Sequence, residues 1–228
     1  MNPPLTIGLV LFPDLTQLDL TGPYEVFSRL PNAQTHLLVA TLAPVRSEKG
    51  LSILPDTTFA NAPTLDVLCV PGGPGVLAAL QDEVMVNFIR QQGAQARYVT
   101  SVCTGALLLA AAGLLEGYRA TTHWLSLDLL RMFGVEMVAQ RVVVDRNRIT
   151  GGGITAGIDF GLVIAAELFG ERLAEEIQLM LEYAPAPPFN SGSPETAAPA
   201  LLRTVHEQRR EIQEQRQAVI AQLLAKKS

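Results

Sequence analysis

Short apolar runs rich in β-branched residues alternate along this chain with longer stretches whose apolar positions recur at helical spacing. Leu5–Phe12 (LTIGLVLF) predicts a first strand, Thr35–Thr41 (THLLVAT) a second, Asp66–Val70 (DVLCV) a third and Tyr98–Val102 a fourth, with two more at Arg141–Val144 and Arg148–Thr150. Helices are expected from about Pro23 to Leu30, after the turn Pro71–Gly75 to about Gly93, over Thr104–Leu115, and from the glycine turn Gly151–Gly153 to about Phe169. Continuously apolar strands separated by helices predict the α/β class: a mostly parallel sheet flanked by helices on both faces.

Near Tyr183 the pattern changes. Pro185, Pro187, Pro188, Pro194 and Pro199 forbid a regular helix through most of this stretch and favour an extended arm. Beyond it, Leu202, Val205, Ile212, Val219, Ile220 and Leu223 recur at helical spacing among charged residues over Leu201–Lys227. The expected organisation is therefore one α/β domain over residues 1–182, followed over 183–228 by a proline-rich arm and an amphipathic helix. Such a helix either packs on its own domain or contacts a partner subunit, because an arm of this kind needs an apolar surface to dock on.

Composition narrows the classes. Nearly half of the 228 residues are hydrophobic (48%) and only 17% are charged, which favours a packed core over disorder. The longest apolar stretches, such as Ala106–Leu115, are too short to span a bilayer, and the start lacks the basic and small-residue features of a signal peptide. A net charge of −5 argues against nucleic acid as a partner. Two cysteines, Cys69 and Cys103, and three histidines without metal-ligand spacing argue against a disulfide scaffold and against a metal site. A reducing cytoplasm is the expected location.

Candidate chemistry gathers where strands end, since ligands of α/β sheets sit at the carboxyl edge. Cys103 stands between strand Tyr98–Val102 and the helix that follows, with Ser101, Gly105 and Ala106 around it small enough for a nucleophile elbow. A helix N-terminus there is expected to lower its pKa, whereas a buried inert thiol is the competing reading. Cys69, inside a strand, reads as core. Pro71-Gly72-Gly73-Pro74-Gly75 lacks the spacing of a nucleotide loop, but amides near Gly73 fit an oxyanion-type donor set. Gly152 and Ile154, in the turn Gly151–Thr155, offer a second set of backbone donors or a plain tight turn. Asp19 falls in the segment after the first strand, either as a helix cap or as a proton-exchanging partner of the thiol. His123 is an alternative base, or a structural histidine.

These segments, taken together, resemble the ThiJ/PfpI superfamily. The likeness rests on Gln-Leu-Asp-Leu-Thr-Gly-Pro (17–23), Tyr-Val-Thr-Ser-Val-Cys-Thr-Gly (98–105), Arg-Ala-Thr-Thr-His-Trp (119–124), Thr-Gly-Gly-Gly-Ile-Thr-Ala-Gly-Ile-Asp (150–159) and Glu-Tyr-Ala-Pro-Ala-Pro-Pro-Phe-Asn (182–190). Asp19, where many members carry Glu, directs the resemblance to the isocyanide hydratase group. It implies a flavodoxin-like fold, a homodimer, no metal or organic cofactor, and hydration of isocyanides to N-formamides with water as co-substrate. On this resemblance Cys103 is the nucleophile, Asp19 the proton source and Thr104 a residue orienting Asp19 or the hydrolytic water, with amides at Gly73, Gly152 and Ile154 around the sulfur. Glyoxalase/deglycase-like or peptidase-like chemistry and a redox- or ligand-sensing domain are the alternatives. Peptidase members carry His directly after the cysteine, where this chain has Thr104.

Overall fold

Seven strands form the central sheet of the computed structural model, which describes residues 4–226. In chain order the elements are β1 (Leu5–Val10), α1 (Gln17–Phe27), β2 (Ala33–Val39), β3 (Val45–Arg46), β4 (Ser52–Ile53), β5 (Thr57–Thr58), β6 (Val67–Val70), α2 (Val76–Ala79), α3 (Glu83–Gln95) and β7 (Tyr98–Val102). They continue with α4 (Gly105–Ala111), β8 (Arg119–Ala120), α5 (Leu127–Met132), β9 (Glu136–Met137), β10 (Val142–Asp145), β11 (Arg148–Gly151), α6 (Ala156–Phe169), α7 (Glu171–Met180) and α8 (Pro199–Ala225). The sheet order is β10-β11-β7-β6-β1-β2-β5, and every pairing is parallel except β10 with β11 at one edge. All six predicted strands are present. The apolar run of β6 has its reason in its place: it lies at the sheet centre with all four residues buried.

The chain leaves β1 towards β2 on one side and returns to place β6 on the other. The carboxyl ends of β1 and β6 therefore feed diverging connections and open a crevice between them. Helices α1, α6 and α7 pack among themselves, as do α2, α3, α4, α5 and α8, giving a layer on each face of the sheet.

Several boundaries depart from expectation. Helix α1 begins at Gln17, not near Pro23, and carries Pro23 inside it. A proline at this position removes an intrahelical bond. Here its ring lies so close to Gly157 of α6 that a side-chain carbon there would come within 2.9 Å of it. Helix α7, helix α5 and the two short ribbons β3–β4 and β8–β9 escaped the pattern reading, the ribbons because two residues carry no periodicity. Pro199 is the first residue of α8 rather than the end of the arm, a position that needs no backbone N–H.

Helix α8 packs back on its own domain, against α2 and α5. Ile220 is fully buried, Leu202, Val205, Ile212, Val219 and Leu223 are half-buried, and Lys227 lies outside the described residues. The ring of Trp124 meets His206 edge-on at 5.1 Å, and Ser126 Oγ donates to Gln213 Oε1 at 3.2 Å. Among the described residues no helix is long and apolar enough to cross a membrane.

Gly105 opens α4 against the end of β6. A methyl group there would sit 2.1 Å from the Val70 carbonyl oxygen, and that backbone cannot yield. Gly105→Ala is expected to lower Tm by roughly 2–12 °C, the result of a ~1–3 kcal/mol overpacking penalty in a chain of this size. Gly192→Ala, where nothing lies within 4 Å, should leave it within about 2 °C. Thermal melts of the two variants, compared with the parent, test this.

Candidate active site

Cys103 is the corner between β7 and α4. Its φ of 54° is left-handed, a conformation that a cysteine adopts only when its surroundings impose it. Three contacts impose it here. Its N–H donates to the Gly151 carbonyl at 3.0 Å, its own carbonyl accepts from Thr122 Oγ1 at 2.8 Å, and Gly105 lets the helix start against β6. The elbow read from the sequence is thus a real strained corner. The sulfur receives the backbone N–H of Thr104.

Asp19 occupies the first turn of α1 and is fully buried. It caps nothing: the residue before the helix is Thr16, and Asp19 turns inward across the crevice. Its Oδ2 accepts the Gly72 N–H at 3.0 Å, while Oδ1 is buried without a partner of hydrogen-bonding geometry. The carboxyl is coupled to the Cys103 thiol. Gly72 has to be glycine, since a side-chain carbon would lie 2.5 Å from Thr104 N and 2.9 Å from Asp19 Oδ2.

Burial pushes the Asp19 carboxyl up to about 7, against the Gly72 N–H and the thiol, which favour the anion; Glu48 adds to the rise. The Cys103 thiol is pushed well above its ordinary value, first by burial and then by the charge of Asp19, while the Thr104 N–H and the Arg216 guanidinium pull it down. The lowering expected from the helix N-terminus is present but is outweighed by desolvation and by the neighbouring carboxylate. Two acids in this contact titrate as a pair: one proton leaves near neutrality and the second is held far more strongly. Cys69 is pushed up to about 12, chiefly by burial at the centre of the sheet and further by the charge of Asp19, in keeping with its reading as core.

The remaining predicted residues divide. Thr104 does not reach Asp19; its hydroxyl accepts the Gly73 N–H at 3.0 Å and braces the loop after β6. The Gly72 and Gly73 amides are therefore both engaged, one by each side chain, instead of forming a free donor pair. Gly152 gives its N–H to the Arg141 carbonyl at 2.8 Å, so that amide is not available to the sulfur. Gly73, Thr104, His123 and Ile154 do line the same cavity of about 120 Å³ as Cys103. His123 is pushed down to about 4 by burial and by Arg216 and Arg209, and its Nδ1 accepts the Leu125 N–H at 3.3 Å. At neutral pH it is a neutral ring with its proton on Nε2, unsuited to act as an imidazolium acid.

Sequence reasoning missed the far wall. Arg209, Ile212, Gln213 and Arg216 of α8 complete the cavity, with Thr16 and Glu48 opposite. Arg216 is 5% exposed, and its Nη2 donates to the Gly73 carbonyl at 2.7 Å. One signal was available: Arg216 sits one helical turn from both Ile212 and Ile220, a charge on the apolar stripe.

Because Asp19 holds its proton higher when folded than when unfolded, the sign of its stability effect is fixed. Below its ordinary value of 3.8 both states are protonated and burial of the acid carries no ionisation penalty. Between there and about 7 the unfolded chain ionises first, so stability falls as pH rises, then levels off. Asp19→Asn removes this loss. Its Tm relative to the parent should rise by roughly 7–15 °C between pH 4 and pH 8, measured by calorimetry at both ends.

Comparison with known proteins agrees with this geometry. The profile of the DJ-1/PfpI family matches residues 6–167. The chain is 60% identical over 198 residues to the isonitrile hydratase of Pseudomonas putida, covering 87% of each chain. It is 33% identical over 188 residues to the HTH-type transcriptional regulator GbdR of Pseudomonas aeruginosa, covering 79% of this chain but 51% of that one. Among solved structures, a ThiJ/PfpI family protein from Pseudomonas syringae superposes with a TM-score of 0.93 at 45% identity, over 95% of this chain and 90% of that one. With its elbow cysteine, parallel sheet and family match in agreement, this chain belongs to the DJ-1/PfpI family.

Proposed function

We propose that this protein is an isocyanide hydratase, adding water to isocyanides to give N-formamides. The observation that carries the reading is the contact between a buried, proton-holding carboxyl and an elbow thiol, Asp19 against Cys103, at a small cavity. Its likeness to the Pseudomonas putida enzyme, 60% over most of both chains, supports the same activity.

An isocyanide carbon accepts a nucleophile and a proton at the same atom, and the pair supplies both. The Cys103 thiolate forms the carbon–sulfur bond as the Asp19 proton passes to that carbon, giving a thioimidate, R–N=CH–S. Water then adds to the thioimidate carbon. The carbon–sulfur bond breaks, nitrogen takes one proton of the water, and R–NH–CHO leaves while the other proton returns to the pair. Thr104 holds the Gly73 loop and, through its backbone N–H, the sulfur; Ile154 and His123 wall the substrate space. All these groups come from the protein, so the proposal needs no cofactor. A homodimer in the cytoplasm, without nucleic-acid or membrane partners, belongs to the same proposal, and light scattering at twice the monomer mass is the expected result for its assembly.

Incubation with a simple aryl isocyanide should yield the formamide. Cys103→Ala should abolish turnover in a folded protein. Asp19→Asn should lose about 100-fold or more, the range of general acid catalysis. Formamide appearance followed by chromatography decides all three; turnover within a few-fold of the parent in either variant would remove that residue from its role.

The pH dependence follows from the pair. One proton must have left for the thiolate to attack and one must remain for the carbon. Below neutrality both protons are held, so kcat/KM should rise with pH through about 7 and then flatten. A profile flat from about pH 5 to pH 9 would contradict the shared proton.

A further inference from the structure

Among the described residues, Arg216 is a cation buried without an ion-pair partner. It is 5% exposed, its Nη2 donates to a neutral carbonyl at 2.7 Å, and its Nε is buried with no partner at all. A guanidinium does not shed its proton in a protein, and a buried charge is stable only with a counter-charge nearby. Among the described residues, the ionisable anions at the cavity are Cys103, with Asp19 against it, and Glu48. Glu48 is already engaged, accepting from Thr16 Oγ1 at 2.7 Å and facing Lys49 at 3.6 Å on the open side. That leaves the thiol–carboxyl pair.

We propose that Arg216 of α8 is the counter-ion of the reactive pair, a positioning residue that places the single negative charge of the Cys103–Asp19 pair on sulfur and leaves the proton on Asp19. Resting on the hydratase reading, this says which form of the pair is ready to react. With one proton between them, the pair is either thiolate with carboxylic acid or thiol with carboxylate, and only the first attacks and protonates an isocyanide. Arg216 attracts the sulfur and lines the cavity with it, whereas Asp19 lies beyond, against Gly72. The other charges around the thiol do not supply this bias. Glu48 repels either anion, Arg209 stands at the exposed rim, and His123 is neutral. The bond from Arg216 to the Gly73 carbonyl also fixes the loop whose two amides hold Asp19 and Thr104. The C-terminal helix is then part of the site's electrostatics and not only its cover.

The test reads the thiol directly, apart from turnover. The full-length protein is alkylated with iodoacetamide across pH 5–10, and modification of the Cys103 peptide is followed by mass spectrometry. The pH midpoint of the parent's rate is the reference. Removing this opposite charge should move the midpoint of Arg216→Gln up by about 1–2 pH units, lowering the rate at pH 7 roughly 10- to 100-fold. Arg216→Lys, which keeps a charge without the planar fork, should fall between the two. A folded Arg216→Gln protein with the parent's midpoint overturns the proposal. Asp19→Asn gives a second reading that needs no change at Arg216. If the negative charge already resides on sulfur, its thiol should still titrate within about one unit of the parent, but if it resides on the carboxylate, the Asn variant should titrate above an ordinary thiol near 8.5, which equally overturns it. Both readings stand whether or not formamide is made, so failure of the hydratase reading shows separately.

Discussion

Everything at this site depends on putting a carboxyl group out of reach of water and against a thiol. Asp19 is fully buried at the crevice of the sheet, and a carboxylate in that position, beside a sulfur that would itself be an anion, is costly enough to hold a proton near neutrality. The same burial that destabilises the folded chain at neutral pH makes the acid useful as a donor. Function here is stored as an unfavourable electrostatic arrangement and held by the rest of the fold.

The scaffold that holds it is a set of close backbone approaches. Gly72 and Gly105 let the ends of β6 and α4 come together around the elbow, where any side chain would strike backbone at 2.1–2.5 Å. The amide of Gly72 holds Asp19, the amide of Gly73 is held by Thr104, and the carbonyl of Gly73 is held by Arg216. One short loop thus ties the acid of α1, the thiol at the end of β7 and the C-terminal helix into a single network. The positive φ of Cys103 is the visible strain in that network, fixed by Gly151 and Thr122 from the neighbouring elements.

Helix α8 changes the meaning of the C-terminal segment. Its charged residues, taken with its proline arm, look like an appendage, yet the helix presents Arg209, Ile212, Gln213 and Arg216 to the cavity along one face. It closes the site that the α/β domain leaves open. The acid and nucleophile come from the family fold, while the far wall comes from a helix beyond the segment that the family profile matches, residues 6–167.

The sequence determined the α/β class, all six long strands and the elbow at Cys103, because these follow from local signals: apolar periodicity and small residues around a corner; for Asp19 it left a helix cap and a partner of the thiol both open. The start of α1 was misread because Pro23 is a strong local signal for a first helical turn, and only the packing of its ring against Gly157 explains why it sits in the interior. The direction of the thiol's pKa could not come from the chain either. A helix N-terminus is visible in sequence and lowers it, but complete burial beside a second acid is a tertiary fact and dominates. Gly152 reads as a donor in sequence but its amide is bound to the Arg141 carbonyl, and Arg216, a charge on the apolar stripe of α8, becomes a buried cation only because α8 folds back on the domain. Local pattern sets which elements form and where a reactive side chain can be exposed; desolvation and charge pairing depend on residues far apart in the chain, and only the folded structure decides them.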